Sequence, residues 1–362
     1  MKRIVVVTLV AAAVALVLRS APTHAEGQFL ANTLLPPMPV PADNPQTDAK
    51  IRLGRQLYFD KRLSVDNTIS CASCHAPPTG WANPHATDTG VRGQVGGRNS
   101  GTVINSGYMQ FQFWDGRAPT LEAQAVGPIA NPIEMGETLD NAVKKLNDIP
   151  GYLEQFHVVF GSAATADGIG KAIAAFERSI VSGPSPYDRY LMGDREALTP
   201  AARRGMELFK GKARCTPCHS GPLFSDQSFH NLGVGQNGDK PDIGREQVTK
   251  DARDRGKFKT PTLRNIAQTP PYLHTGTEKT LLDVVEFYDQ GGIANDNLDR
   301  MMLPLALTQG EKEDLVAFLE ALTGPVTDVP YPALPPNADG SPAPDPASVD
   351  VKPDVPSVGG AQ

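Results

Sequence analysis

The chain has 362 residues, with 40 acidic against 34 basic side chains and a formal net charge of -6. An acidic balance sets aside a nucleic-acid partner, which needs basic stripes, and suits a small basic redox protein drawn in by charge. The 34 glycines and 33 prolines point to long ordered loops rather than extended runs of regular structure.

Lys2 and Arg3 precede an apolar run from Ile4 to Leu18 and a short polar stretch ending Thr23-His24-Ala25. That order is a secretory signal, residues 1–25, with small residues placed for cleavage after Ala25; a retained anchor is the alternative. Cleavage removes Lys2, Arg3 and Arg19 and no acidic residue, taking the net charge from -6 to -9. Export to the periplasm follows, and no later stretch is apolar for long enough to span a bilayer. The remaining chain is long enough for two domains of ordinary size.

From Asp48 to Phe59 the positions Ile51, Gly54, Leu57 and Tyr58 share one helical face, and the first cysteine pair follows as Cys71-Ala-Ser-Cys74-His75. The pattern recurs: Thr199 and Pro200 supply a cap and first-turn proline, Ala202, Gly205, Leu208 and Phe209 repeat the spacing, and Cys215-Thr-Pro-Cys218-His219 comes next. Two thiols at this spacing can bond to the two vinyl groups of one haem, and the adjacent histidine then reaches its iron. Each motif therefore reads as a c-type haem site, and no cysteine is left over. The competing readings are a four-cysteine zinc site, two disulfides, or thioredoxin-like redox pairs.

An amphipathic helix closes each half. Ile169, Ile173, Phe176 and Ile180 define the first, ending near Gly183; Leu315, Phe318, Leu319 and Leu322 define the second, opened by a Thr308 to Glu311 capping box and stopped at Gly324. The expected architecture is mainly α: two cytochrome c-like domains, 26–198 and 199–325, each holding one covalent haem. Residues 326–362, rich in proline, alanine and aspartate without apolar periodicity, read as a disordered tail.

Further motifs appear in a definite order: Arg98-Asn99-Ser100, then Phe113-Trp114-Asp115-Gly116-Arg117, Gln124, Gly127-Pro128, and Asn131-Pro132-Ile133-Glu134-Met135. Pro261-Thr262-Leu263-Arg264-Asn265 and Pro271-Tyr272-Leu273-His274-Thr275-Gly276 follow in the second half. In this order, from Pro41 to Gly324, the chain resembles the bacterial di-haem cytochrome c peroxidases, a superfamily that includes MauG. The resemblance implies that the haem of His75 binds hydrogen peroxide, with Glu134 as the carboxylate over its open face and Gln124 and Pro128 shaping that face. A base there takes a proton from the bound peroxide and returns one to the departing oxygen. A solvated carboxylate is the plain alternative for Glu134.

Many members carry a histidine that caps the first iron; the matching position here is Val91, while His85 is offset in a Pro-rich loop as a surface residue. The first haem is then open without reductive activation. Trp114 resembles the tryptophan between the two haems, a relay for electrons, with core packing as the alternative. For the second haem, held by His219, the interval from Pro271 at which most members carry a methionine lands on Tyr288, as in MauG-like members; Met301 or Met302 could reach the iron instead. A phenolate ligand lowers the potential relative to a thioether. The family also implies a calcium ion at the Asn99 side chain and the backbone carbonyls of Thr269 and Pro271, although Asn99 could be purely structural.

Three functions compete. The first is peroxide reduction with electrons from a small cytochrome c or cupredoxin. The second is MauG-like oxidation of a side chain in a protein substrate, and the third a non-catalytic electron carrier. A homodimer is compatible with the resemblance.

Overall fold

The computed structural model describes residues 34–237 and 240–348. The signal segment 1–25 and the end of the tail lie outside the described residues.

Helix α1 (Asp48–Phe59) starts where the Thr47 side chain accepts the amide of Lys50, and buries Leu53, Gly54, Leu57 and Tyr58. A short helix α2 (Cys71–Cys74) carries the first cysteine pair. Then come α3 (Leu121–Ala130), α4 (Leu139–Asp148), α5 (Pro150–Phe160) and α6 (Ala166–Glu177). In the second half lie α7 (Pro186–Leu191), α8 (Pro200–Lys210), α9 (Glu246–Thr249), α10 (Leu281–Asp289) and α11 (Gln309–Glu320). Strands β1 (Phe229–His230) and β2 (Phe258–Lys259) pair antiparallel. The fold is mainly α, as the periodicity predicts.

Each half is built on one helix crossing. A Cβ on Gly54 would lie 1.8 Å from the carbonyl oxygen of Ala172 in α6, and one on Gly205 of α8 would lie 1.8 Å from that of Asp314 in α11. Only glycine lets the two backbones approach this closely. One turn beyond each glycine an aromatic ring meets its counterpart: Tyr58 on Phe176 and Phe209 on Phe318, both at 5.2 Å between centroids. Burying each such ring contributes roughly 1.5 to 3 kcal/mol. The Thr199 cap, the Thr308–Glu311 capping box and the buried Leu315, Phe318 and Leu319 are where the sequence places them. Helix α6 stops at Glu177, before the expected end near Gly183, and Ile180 is buried from the following turn.

Two packing features bear on the expected domain limits. Helix α7 precedes the proposed boundary at Leu198, yet Tyr187 packs 5.5 Å from Phe318 and donates its amide to Ala321. It packs with the second core, and the Thr199 cap marks the start of α8. The tail is not disordered through residue 348. Val326 and Val329 pack on the first core, Tyr331 sits 5.2 Å from Phe59, and Gln56 and Arg62 donate to the Ala333 carbonyl and the Asn337 side chain. An extended strap has no helical or strand period to reveal it.

Candidate functional site: a cavity shared by both cysteine motifs

The two motifs open on one cavity of about 720 Å³, lined by Cys71, Cys74, His75, Cys215, Cys218 and His219 together with Trp114, Gln124, Pro128, Glu134 and Tyr288. All four cysteines are free. Among the described residues, the one close grouping of potential metal ligands contains a single cysteine, Cys218 with Asp226 and His230, so the four thiols do not form a zinc set.

Both motif histidines are oriented alike. His75 Nδ1 lies 3.3 Å from the carbonyl of Trp81, and Tyr58 holds the His75 carbonyl at 2.9 Å. His219 Nδ1 lies 2.8 Å from the carbonyl of Phe224. A carbonyl on Nδ1 fixes the proton there and leaves Nε2 with its lone pair, the tautomer that binds iron. Burial holds both imidazoles below their ordinary pKa, hence neutral. Burial also pushes up the thiols of Cys71, Cys74 and Cys215, the last to about 12. Paired thiols, neutral histidines and a shared cavity fit a haem at each motif.

Over the first motif, α3 turns Leu121, Gln124, Ala125 and Pro128 toward the cavity, the i, i+3, i+4, i+7 stripe of one face. The turn that follows presents Glu134. Its Oε1 accepts from Asn131 Nδ2 at 2.7 Å, and its backbone carbonyl accepts the Val91 amide at 2.8 Å. Burial raises the Glu134 pKa, against the lowering effect of Asn131 and Arg117. Val91 is buried beside this turn, whereas His85 is exposed.

Over the second motif, α10 buries Leu281 and Val285 and brings Tyr288, a turn further on, to the cavity wall. Burial is the main cause that pushes the Tyr288 hydroxyl up, with Cys215 and Cys218 next. Met301 and Met302 also border the cavity, Met301 with 44% of its surface exposed.

Trp114 lines the cavity between segments of both halves. Its Nε1 donates to the Asn99 carbonyl at 2.8 Å, and its own carbonyl accepts the backbone amide of Lys259 at 2.7 Å. Asn99, Thr269 and Pro271 border the same cavity. The Asn99 amide nitrogen is taken by the carbonyl of His85 at 2.8 Å, which leaves Oδ1 as the side chain's remaining donor for a hard cation.

Sequence reasoning passed over two charged residues here. Glu177 is buried on the cavity wall with Oε2 unpartnered, and burial raises its pKa to about 8. Its signal was available: position 177 lies four after Ile173, on the apolar face of α6. Lys259 also lines the cavity, and nothing in its two-residue strand announces it.

Residues 48–196 match the family model described as di-haem cytochrome c peroxidase. The chain is 41% identical over 310 residues to the cytochrome c551 peroxidase of Nitrosomonas europaea, covering 85% of this chain and 90% of that one. It is 39% identical over 302 residues to the methylamine utilization protein MauG of Methylorubrum extorquens, covering 82% and 85%. Among solved structures, a MauG-like protein associated with microbial copper homeostasis superposes with a TM-score of 0.75 at 34% identity, over 80% of this chain and 93% of that one.

Proposed function

This chain belongs to the di-haem cytochrome c peroxidase family, and from that premise we propose that it reduces hydrogen peroxide to water in the periplasm with electrons from a small redox protein. It is an oxidoreductase of the cytochrome c peroxidase type. The observation that carries the reading is Glu134, a half-buried carboxylate on the cavity wall shared with His75, its pKa raised and its Oε1 tethered by Asn131.

The reaction takes one peroxide, two protons and two electrons to two waters. When bound, haem iron would supply the electrons and the site for peroxide. Cys71 and Cys74 would tether the first haem with His75 as its ligand; Cys215, Cys218 and His219 would hold the second. Glu134 receives the proton from one peroxide oxygen and delivers it to the other, so that the leaving oxygen departs as water. Gln124 and Pro128 shape this face, and Val91, having no ligand atom, leaves it open. Trp114 carries electrons between the motifs. Asn99, Thr269 and Pro271 would hold calcium between the halves. Among the described residues no helix is long and apolar enough to cross a membrane.

The position of Tyr288 supports a second reading, MauG-like oxidation of a protein side chain, because a tyrosine ligand favours oxidised iron over electron supply. One assay separates them. Reduced small cytochrome c and peroxide should be consumed at up to hundreds of turnovers per second, inside the ordinary enzyme range. Slow turnover beside a long-lived oxidised spectrum would favour the second reading, and inertness toward peroxide in either redox state would leave an electron carrier.

A further inference from the structure

Of the cations lining the cavity other than Lys259, Arg98 and Arg117 are matched by carboxylates and Arg214 is exposed to solvent. Arg98 pairs with Asp115 and Asp242, both at 2.7 Å, and Arg117 pairs with Asp115 at 3.1 Å. Lys259, on the cavity wall, has no carboxylate within ion-pair reach among the described residues, and burial alone pulls its ammonium down to about 8. A desolvated ammonium without a counter-charge costs several kcal/mol. Lys259 is half-buried on the wall, so what fills the cavity is placed to supply that counter-charge. A haem carries two ionised groups, its propionates.

The backbone connections favour the second haem. Lys259 runs into Thr260, whose carbonyl accepts Ser225 Oγ at 2.7 Å. Ser225 follows Phe224, whose carbonyl holds His219 Nδ1 at 2.8 Å. Strand β2 is thus stitched to the loop that orients the second motif's histidine, while the Lys259 amide is fixed to Trp114.

We propose that Lys259 is the counter-ion of a propionate of the haem held by Cys215, Cys218 and His219, placed on the side of that haem facing Trp114. This rests on the di-haem reading above. The pair balances the propionate charge near the second iron and so sets its potential, on the wall that electrons cross.

The test is spectroelectrochemistry of the haem-loaded protein, wild type against Lys259→Met and Lys259→Arg, with haem counted per chain by pyridine haemochrome. Without the ammonium the bare propionate favours ferric iron. The second haem's midpoint potential should therefore fall in Lys259→Met, stay near wild type in Lys259→Arg, and leave the first haem unchanged. Two haems with the second potential unmoved, or with the first haem shifting instead, overturn the proposal alone. Fewer than two haems in the wild type overturn the di-haem reading as well. Should Lys259→Met fail to load, the propionate-bending Raman band of the second haem is compared between wild type and Lys259→Arg: a shift supports the contact, and an unmoved band overturns it.

Discussion

The side-chain amide of Asn131 donates to Oε1 of Glu134 over 2.7 Å, fixing the carboxylate against the same wall that carries His75. The hydrogen bond does two things: it aims the carboxylate and it lowers its pKa, offsetting part of what burial raises. Glu134→Gln, which keeps the shape and loses the base, should lower kcat/KM for peroxide by about 10² to 10⁴ with both haems retained. Steady-state kinetics with a haem count checks this; unchanged kcat/KM would remove Glu134 from the chemistry.

The same pair sets a pH dependence. Catalysis needs the ionised carboxylate, and burial holds its pKa above the ordinary value, so kcat/KM should fall on the acid side at a higher pH than a free carboxylate gives. Asn131→Ala removes the lowering contribution, and the acid limb should move to still higher pH. A limb that stays in place would detach the profile from Glu134.

Glu177 makes an opposite demand on stability. Its folded pKa is raised to about 8, so the folded chain keeps a proton that the unfolded chain releases above the usual carboxylate range. Stability therefore falls as pH rises from there to about 8, by at most about 1.4 kcal/mol per unit. Glu177→Gln removes this titration, and its Tm relative to wild type should climb between about pH 5 and 8. A constant Tm difference across that range would contradict a proton on Glu177.

Helix ends and crossings were legible because they depend on local chemistry. Thr199 and Thr308 cap through their own side chains, and Gly54 and Gly205 stand where a periodic apolar face needs close approach. The strap at Val326 to Ser348 was not legible, since extended Pro-rich chain has no period and its partners Phe59 and Arg62 lie far away in sequence. The cysteine motifs and the order of the other motifs made most of the site readable. Lys259 and the free oxygen of Glu177 were not, because a lone charge reads as solvated until the fold buries it.

The glycine crossing carries its own test. Gly205→Ala would drive a methyl into the Asp314 carbonyl at 1.8 Å, so the helices must separate. A loss of about 1 to 3 kcal/mol is expected in denaturant unfolding, the range for overpacking. Wild-type stability in this variant would mean that the crossing is looser than described.

Tyr288→Met examines the second motif. Exchanging a phenolate for a thioether should raise that haem's midpoint potential and speed electron supply from reduced cytochrome c. If the potential is unmoved, Tyr288 is not the ligand and Met301 or Met302, on the same wall, takes its place.

The proposed function requires the iron that His75 would bind to have an open face under Glu134, and the iron that His219 would bind to be closed. The ferric EPR spectrum before and after peroxide reads both at once. One high-spin and one low-spin signal, with the high-spin signal lost on adding peroxide, is the predicted result; two low-spin signals that ignore peroxide in either redox state would contradict it.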